Sequence, residues 1–382
     1  MTPDSPPRTG PRVLIVGGGS GGHISPGLAV AESLAGRGVH CHFLCSQRSI
    51  DSTMLTQAGV SFEPVPARPF STRPQGLLKC LLGMHQSSRR VKTLVSQTPC
   101  DGVLMLGGFV AASTMPGFVA SSRAGRLNGP IVLLNLDRVP GKANRRVARH
   151  ADVVLSAVDT LQSGFASRIT GLPIRSAAQR PGTPEHCREA LGLQPDTPVI
   201  FVTGASQGAS SLNRLMQRIL EAHCMPVDSY QVLHLSGSQA DAALEQQYAQ
   251  AGVPAVVLPF LDHMGLAWGA ATVAISRAGA NSVGEVQANA VPTIFLPYPH
   301  HRDRHQFHNA QPLVDAGGAC IVEDDDDHQT AMAVAELTRS LLGDSSKRAA
   351  MITALAAQST QEAADQVAST LVGPPGTREA GS

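Results

Sequence analysis

The sequence predicts an α/β fold built twice: two Rossmann-like, doubly wound parallel-sheet domains facing a cleft. Three observations carry that prediction. The 382 residues are too many for one ordinary core and suit two domains. Short unbroken runs of Val, Ile and Leu alternate with helical stretches, as in a parallel sheet buried on both faces. Finally, a strand, a glycine-rich turn and a helix follow one another at two places, "VLIVGGGSGGHISPG" (Val13 to Gly27) and "VIFVTGASQGASSLN" (Val199 to Asn213).

Taken in order, residues 1–11 are Pro-rich and polar and read as a flexible leader. A first domain is expected over 12–175. "RVLIVG" reads as a strand, "SPGLAVAESLAGRG" as a helix and "VHCHFLC" as a strand, followed by "DGVLMLGG", "GPIVLLNL" and "ADVVLSA". The pattern breaks at "GLPIRSAAQRPGTPEHC", where Pro173, Pro181 and Pro184 indicate a linker, placed at 176–195. A second domain follows over 196–348, with further strands in "SYQVLHLSG", "AVVLPFL", "ATVAISRAG", "VPTIFLPY" and "GACIVED". A C-terminal helix over 349–371 is expected to pack back on the first domain, and 372–382 form a loose tail.

The bulk composition excludes several classes of function. The formal charge is +1 and aromatics are only 4%, so nucleic acid is not an expected partner. The seven cysteines form no C-x-x-C pair and are odd in number, which indicates neither a disulfide framework nor a zinc site. They read as small buried hydrophobes in a reducing compartment. "MTPDSPPRTGP" has no apolar core and is not expected to be a signal peptide. No apolar run is long enough to span a bilayer, so any membrane role must be peripheral.

Five of the six residues Gly17 to Gly22 are glycine, more than a tight turn needs. Such a loop lets a ligand approach backbone N–H groups at a helix N-terminus. Gly17, Gly19 and Gly22 satisfy G-x-G-x-x-G, but a dinucleotide site also needs an acidic residue at the end of the second strand. "VHCHFLCSQRS" has none, and Asp51 lies beyond that strand. His23 follows the glycines and faces whatever the loop faces. Near a helix N-terminus its pKa should fall, leaving a neutral base, although a helix-start histidine bonded to its neighbours is the plainer alternative.

Other segments would border the same cleft. "LMLGGFVAAS" gives a second glycine turn in the first domain. Ser206 and Gln207 of the second domain's opening turn could bind a bridging ligand. "SRAGANSVGEVQANAVP" places a helix N-terminus after a strand, suited to a diphosphate. Glu285, a turn inside that helix, would repel phosphate but can accept from both hydroxyls of a ribose; alternatively it only favours the helix dipole. In "YPHHRDRHQFHNA", His300, His301, His305 and His308 lack metal-site spacing, so no metal is expected, and Gln306 and Asn309 suit sugar recognition. "GLLKCLLGMHQSSRRVKTLV" (Gly76 to Val95) mixes leucines with Lys79, Arg89, Arg90 and Lys92. It reads either as an amphipathic core helix or as a surface that touches anionic lipid.

Together "GGSGGHISPGLAVAESL", "GGFVAAS", "GLPIR", "GASQGASSLN", "FLDHM", "SRAGANSVGE" and "RDRHQFHNA" stand in an order and spacing that resembles the MurG-type N-acetylglucosaminyltransferases of peptidoglycan synthesis. The resemblance runs from about Arg12 to Thr370. It implies a GT-B glycosyltransferase fold and inverting transfer of N-acetylglucosamine from UDP-N-acetylglucosamine to undecaprenyl-pyrophosphoryl-N-acetylmuramyl-pentapeptide, lipid I becoming lipid II. No cofactor is implied. Leu261 would meet uracil, Ala280, Asn281, Ser282, Val283 and Gly284 the diphosphate, and Glu285 the ribose. Arg175 and Ser206 would face the phosphates, and His305 and Gln306 the sugar. Ser20, Gly21 and Gly22 would face donor and acceptor, with His23 as base. The family also implies a peripheral place on the cytoplasmic face of the cell membrane, with Gly76 to Val95 against anionic lipid.

One segment departs from the family pattern. Where members carry His-Glu-Gln-Asn, this chain has Leu134, Asn135, Leu136 and Asp137, so Asp137 replaces an amide expected near the donor sugar or acceptor. Two alternatives therefore stand beside the family's activity. One is a related UDP-sugar transferase with another lipid acceptor, and the other is a non-catalytic nucleotide-sugar-binding protein on the same fold.

Overall fold

The computed structural model describes residues 10–19, 21–204, 210–226, 229–237, 241–358 and 362–373. The chain divides into two compact units. The first comprises Met1–Pro173 and Glu362–Ser382, the second Ile174–Gln361.

Unit 1 runs β1 (Arg12–Val16), α1 (Gly21–Ala35), β2 (His40–Cys45), α2 (Ser49–Gln57), β3 (Ser61–Pro64), α3 (Pro74–Gln97), β4 (Gly102–Met105), α4 (Gly108–Arg123), β5 (Ile131–Asn135), α5 (Lys142–Ala148), β6 (Val153–Ser156) and β7 (Arg168–Ile169). The sheet order is β3-β2-β1-β4-β5-β6-β7, and each described pairing is parallel. The unbroken apolar runs follow from this: Val13 to Val16, Val103 to Met105 and Ile131 to Leu134 are covered on both faces and buried. Helix α1 starts at Gly21, earlier than the expected Ser25, so His23 lies in its first turn. The glycines concealed that start because glycine is a poor helix former.

Helix α3 buries Gly83, Ser87, Val91 and Val95, a stripe at four-residue spacing. It approaches α4 closely because Gly117 carries no side chain, and a Cβ there would lie 2.6 Å from the Ser88 carbonyl oxygen. Its N-terminal half is different. Leu77, Leu78, Leu81 and Leu82 are all exposed, Leu78 to 59%.

Unit 2 begins with a 3₁₀ turn (Ser176–Ala178) and α6 (Pro184–Ala190), then β8 (Val199–Thr203), α7 (Ser210–Glu221), β9 (Gln231–Leu235), α8 (Asp241–Gln250), β10 (Ala255–Leu258) and α9 (Met264–Ala270). It continues with β11 (Val273–Ser276), α10 (Ala280–Asn289), β12 (Thr293–Phe295), α11 (His305–Asp315), β13 (Ala319–Ile321), α12 (His328–Gly343) and α13 (Ser345–Ala357). Its sheet is again parallel, in the order β10-β9-β8-β11-β12-β13.

Two segments differ from their description in the sequence. Residues 176–195 are structured. Thr183 caps α6, Pro184 starts it, and Cys187 is buried in the core of unit 2. Pro184 marks a helix start rather than a spacer. In place of one helix over 349–371 there are two, α13 and α14 (Ala363–Val372). Helix α13 belongs to unit 2, whereas α14 packs on unit 1. There α14 buries Val367, Ala368, Leu371 and Val372, and Arg37, in the turn after α1, donates to Ser369 Oγ at 2.9 Å and Asp365 Oδ1 at 3.1 Å.

Candidate functional site

In each sheet the strand order reverses direction once, between β1 and β4 in unit 1 and between β8 and β11 in unit 2. Loops leaving the C-terminal ends of two such strands diverge, and the gap between them is where ligands settle in open α/β sheets. The glycine turns that the sequence marks out leave these four strands.

In unit 1 the β1–α1 turn is held from beneath by a carboxylate. Asp51, fully buried in the first turn of α2, accepts from Gly19 N at 2.7 Å, Ser46 N at 3.0 Å and Ser46 Oγ at 2.6 Å through one oxygen. Gly18 has a φ of +144° and Gly19 one of +88°, and a Cβ on Gly18 would lie 2.3 Å from Asp51 Oδ2. Glycine is therefore required there by conformation and by space. Arg48 closes the other side by donating to the Gly19 carbonyl. With Gly19 N–H taken by Asp51, this stretch of the loop is a preformed wall rather than an open anion cradle.

The ring of His23 lies against Gly108 at the start of α4, where a Cβ would sit 3.2 Å from its Cε1. Burial lowers its pKa, opposed first by the charge of Asp137 and then by that of Asp51. His23 is thus neutral at physiological pH. The β5 end supports this corner. Asn135 Nδ2 donates to the Asp137 carbonyl at 2.7 Å, and Asn144 Nδ2 donates to Asn135 Oδ1 at 2.9 Å. Asn144 Oδ1 in turn accepts from Gly108 N at 3.3 Å. Leu134 and Leu136 are core residues, so the departure at this segment exchanges polar side chains for packing. Gly21 and Gly22 open α1 beside His23, while Ser20 lies outside the described residues.

In unit 2 the loop after β8 that holds Ser206 and Gln207 lies outside the described residues. The neighbouring turn, after β11, is well defined. Arg277 is buried and fully engaged: Nη1 donates to the Leu296 carbonyl at 2.7 Å, and Nη2 pairs with buried Asp324 at 2.6 Å and also meets Ser211 Oγ. It ties three loops together and is not spare for a ligand. Helix α10 then begins at Ala280 with Gly279 as its N-cap and no side-chain cap, which leaves backbone N–H groups directed outward. Asn281, Ser282, Val283 and Gly284 form its first turn, and Ser282, Val283 and Gly284 are buried.

Glu285 is partly buried one turn inside α10. Its Oε2 accepts from Trp268 Nε1 at 2.8 Å. Burial pushes its carboxyl up to about 7, against the opposing pull of the Trp268 N–H and the Arg175 charge. Arg175, at the head of the 3₁₀ turn, is thus within electrostatic reach of Glu285. Asn289 fixes that segment to α10, bonding the Ala178 carbonyl at 2.9 Å and Arg180 N at 2.8 Å. Leu261 follows β10 and packs on the core of this unit. His305 opens α11 with Nδ1 on Asp303 at 2.8 Å, and Gln306 Oε1 accepts from Tyr298 N at 2.9 Å. Among the described residues there is no cluster of His, Cys, Asp and Glu suited to a metal ion.

Of the residues the sequence singled out, the structure groups His23 with Asp137 in unit 1, and Arg175 with Ala280 to Glu285 in unit 2. Trp268 and Asn289 were not singled out, Asp51 was set aside as lying beyond the second strand, and Asn135 was named only within the departing segment. Each acts through a tertiary contact that no local pattern announces, although a lone tryptophan in the chain is a signal that could have been followed.

Two parallel-sheet α/β units, each with a helix N-terminus or glycine turn at its switch point, match the GT-B glycosyltransferase fold. Residues 13–156 match the glycosyltransferase family 28 N-terminal domain, and residues 199–367 match the family's C-terminal domain. A Nocardioides sp. protein named UDP-N-acetylglucosamine–N-acetylmuramyl-(pentapeptide) pyrophosphoryl-undecaprenol N-acetylglucosamine transferase is 35% identical over 94% of this chain and 96% of its own. A Mycolicibacterium smegmatis protein of the same name is 34% identical over 93% of this chain and 92% of its own. The crystal structure of MurG from Acinetobacter baumannii aligns with a TM-score of 0.70 and 26% identity, over 94% of this chain and 99% of that one. The chain belongs to glycosyltransferase family 28 and, within it, to the MurG-type transferases.

Proposed function

We propose that this chain is an inverting glycosyltransferase that moves N-acetylglucosamine from UDP-N-acetylglucosamine to undecaprenyl-pyrophosphoryl-N-acetylmuramyl-pentapeptide in peptidoglycan synthesis. The observation that carries the reading inside the molecule is Glu285, a carboxylate one turn behind the uncapped N-terminus of α10. That pairing suits a nucleotide whose diphosphate and ribose diol lie side by side.

The roles follow from the chemistry. Backbone N–H groups at Ala280 to Gly284 take the diphosphate, with Arg175 and Ser206 adding positive charge and a hydroxyl. Glu285 accepts from the ribose hydroxyls, Leu261 meets the uracil, and His305 and Gln306 read the sugar. In unit 1, Ser20, Gly21 and Gly22 border the reacting groups, and neutral His23 removes the proton from the acceptor hydroxyl. That oxygen forms a bond to the anomeric carbon as the bond to UDP breaks. UDP leaves with the electron pair, and its growing charge is stabilised at the α10 N-terminus. Asp137 stabilises the imidazolium that His23 becomes.

The acceptor is lipid-linked, which asks for contact with a membrane. No helix among the described residues is long and apolar enough to cross one. The exposed leucines of α3, with Phe70 75% exposed nearby in sequence, offer apolar insertion on the inner leaflet. Lys79, Arg89 and Lys92 of α3, and Lys142, Arg145 and Arg146 of α5 with Arg149 at its C-cap, offer positive charge to anionic lipid.

The test is transfer itself. Purified protein is given sugar-labelled UDP-N-acetylglucosamine and a short-chain analogue of the lipid-linked muramyl-pentapeptide, with Glu285→Ala as control. Label in the lipid product with wild type, and none with the control, supports the reading. Donor binding without transfer would instead favour a different lipid acceptor, and the apolar Leu134 and Leu136 are the observation that favours it.

A further inference from the structure

Glu285 is placed under conflicting demands. It must be ionised and correctly rotated to accept from two hydroxyls, yet it sits where burial favours its neutral form. Its side chain has three rotatable bonds, so its orientation has to be imposed from outside. One described side chain does this. Trp268 on α9 is 1% exposed, and its ring packs edge-on against Phe201 of β8, with centroids 4.9 Å apart and planes at 86°. The indole is therefore fixed by the core, and its N–H reaches Glu285 Oε2 at 2.8 Å. A buried indole N–H needs an acceptor, and a carboxylate needs donors, so each satisfies the other.

We propose that Trp268 is a positioning residue of the donor site, whose indole N–H locks Oε2 of Glu285 so that the carboxylate is presented, ionised, to the ribose diol. The proposal rests on the reading of Glu285 as the ribose ligand. It separates two functions of one residue. The ring fills the core of unit 2, and the N–H sets specificity for a ribonucleotide.

Trp268→Phe separates them, since phenylalanine keeps the aromatic packing and loses only the donor. UDP and 2′-deoxy-UDP are titrated into wild type, Trp268→Phe and Glu285→Gln by calorimetry, with thermal melting as the check on folding. The expected result is that wild type prefers UDP, and that Trp268→Phe binds UDP about tenfold or more weakly. It should bind 2′-deoxy-UDP nearly as before, so its preference shrinks toward that of Glu285→Gln. The pH below which UDP affinity falls should also move upward in Trp268→Phe, because the carboxylate has lost a bond to its charged form. A Trp268→Phe protein that keeps wild-type preference and pH profile, while Glu285→Gln loses the preference, overturns the role of Trp268 alone. A Glu285→Gln protein with unchanged preference overturns the ribose reading instead.

Should Trp268→Phe fail to fold, the wild type supplies its own probe, because the chain holds a single tryptophan. Its one indole N–H resonance should shift when UDP saturates the protein. An unmoved resonance at saturation overturns the proposal.

Discussion

In the proposed mechanism Glu285 and His23 both act deprotonated, so each defines an acid limb that can be measured. Burial pushes the Glu285 carboxyl up to about 7, and the donor binding proposed above uses its ionised form. The KM for UDP-N-acetylglucosamine should therefore rise as pH falls below about 7, approaching tenfold per unit, with kcat changing less. A KM that stays flat down to pH 5.5 would show that Glu285 does not bind as a carboxylate. His23 has its pKa lowered by burial, so its own limb lies at more acid pH and should be seen in kcat. His23→Ala should cost roughly 10²–10⁴ in kcat while leaving UDP affinity intact. Asp137 raises the His23 pKa against the effect of burial. Asp137→Asn should thus shift the acid limb of kcat to lower pH and weaken the base, and an unmoved limb would show that the Asp137 charge does not act on His23 during catalysis.

At the scale of elements, the strand–glycine–helix units were legible because their signal is local. Apolar runs and glycines mark β1, β4, β8 and β11 whatever the rest of the chain does. What stayed hidden was how their turns are held. Asp51 stands beyond the strand end where a dinucleotide site would need an acid, yet it reaches back 32 positions to Gly19 and shapes the loop. Trp268 meets Glu285 across 17 positions and two helices. Such contacts depend on the packing of neighbouring helices, which periodicity does not encode. The loop support can be tested directly. Asp51→Ala strands the Gly19 and Ser46 N–H groups and should cost about 3 kcal/mol of stability, read as a fall in melting temperature. Helix α3 shows the opposite case. Its composition allowed both a core helix and a membrane surface, and only the fold separates the buried stripe from the exposed leucines. Replacing Leu78 and Leu82 together by serine should weaken co-sedimentation with anionic vesicles about tenfold or more while leaving the melting temperature unchanged. A large fall in melting temperature would mean that those leucines serve the fold.

At the scale of the whole molecule, the chain is a duplication closed by one exchange: its last described helix belongs to its first unit. Unit 1 is built around the buried faces of β1, β4 and β5, and unit 2 around those of β8, β9 and β11, so each has a hydrophobic core of its own. Two cores predict two unfolding transitions in calorimetry. A ligand that binds one folded unit stabilises that unit alone, by about 2.7 kcal/mol at a hundredfold excess over its Kd. UDP should therefore raise one transition and leave the other in place. Deleting the chain after Gln358 removes α14, with its buried Val367, Ala368, Leu371 and Val372 and the Asp365 and Ser369 partners of Arg37. That loss, on the order of 5 kcal/mol from the apolar side chains, falls on unit 1. The truncated protein should show its UDP-insensitive transition lowered and its UDP-sensitive one unchanged. A truncation that lowers the UDP-sensitive transition instead, or one merged transition that UDP raises as a whole, would show that the two cores unfold together and that α14 does not serve unit 1 alone.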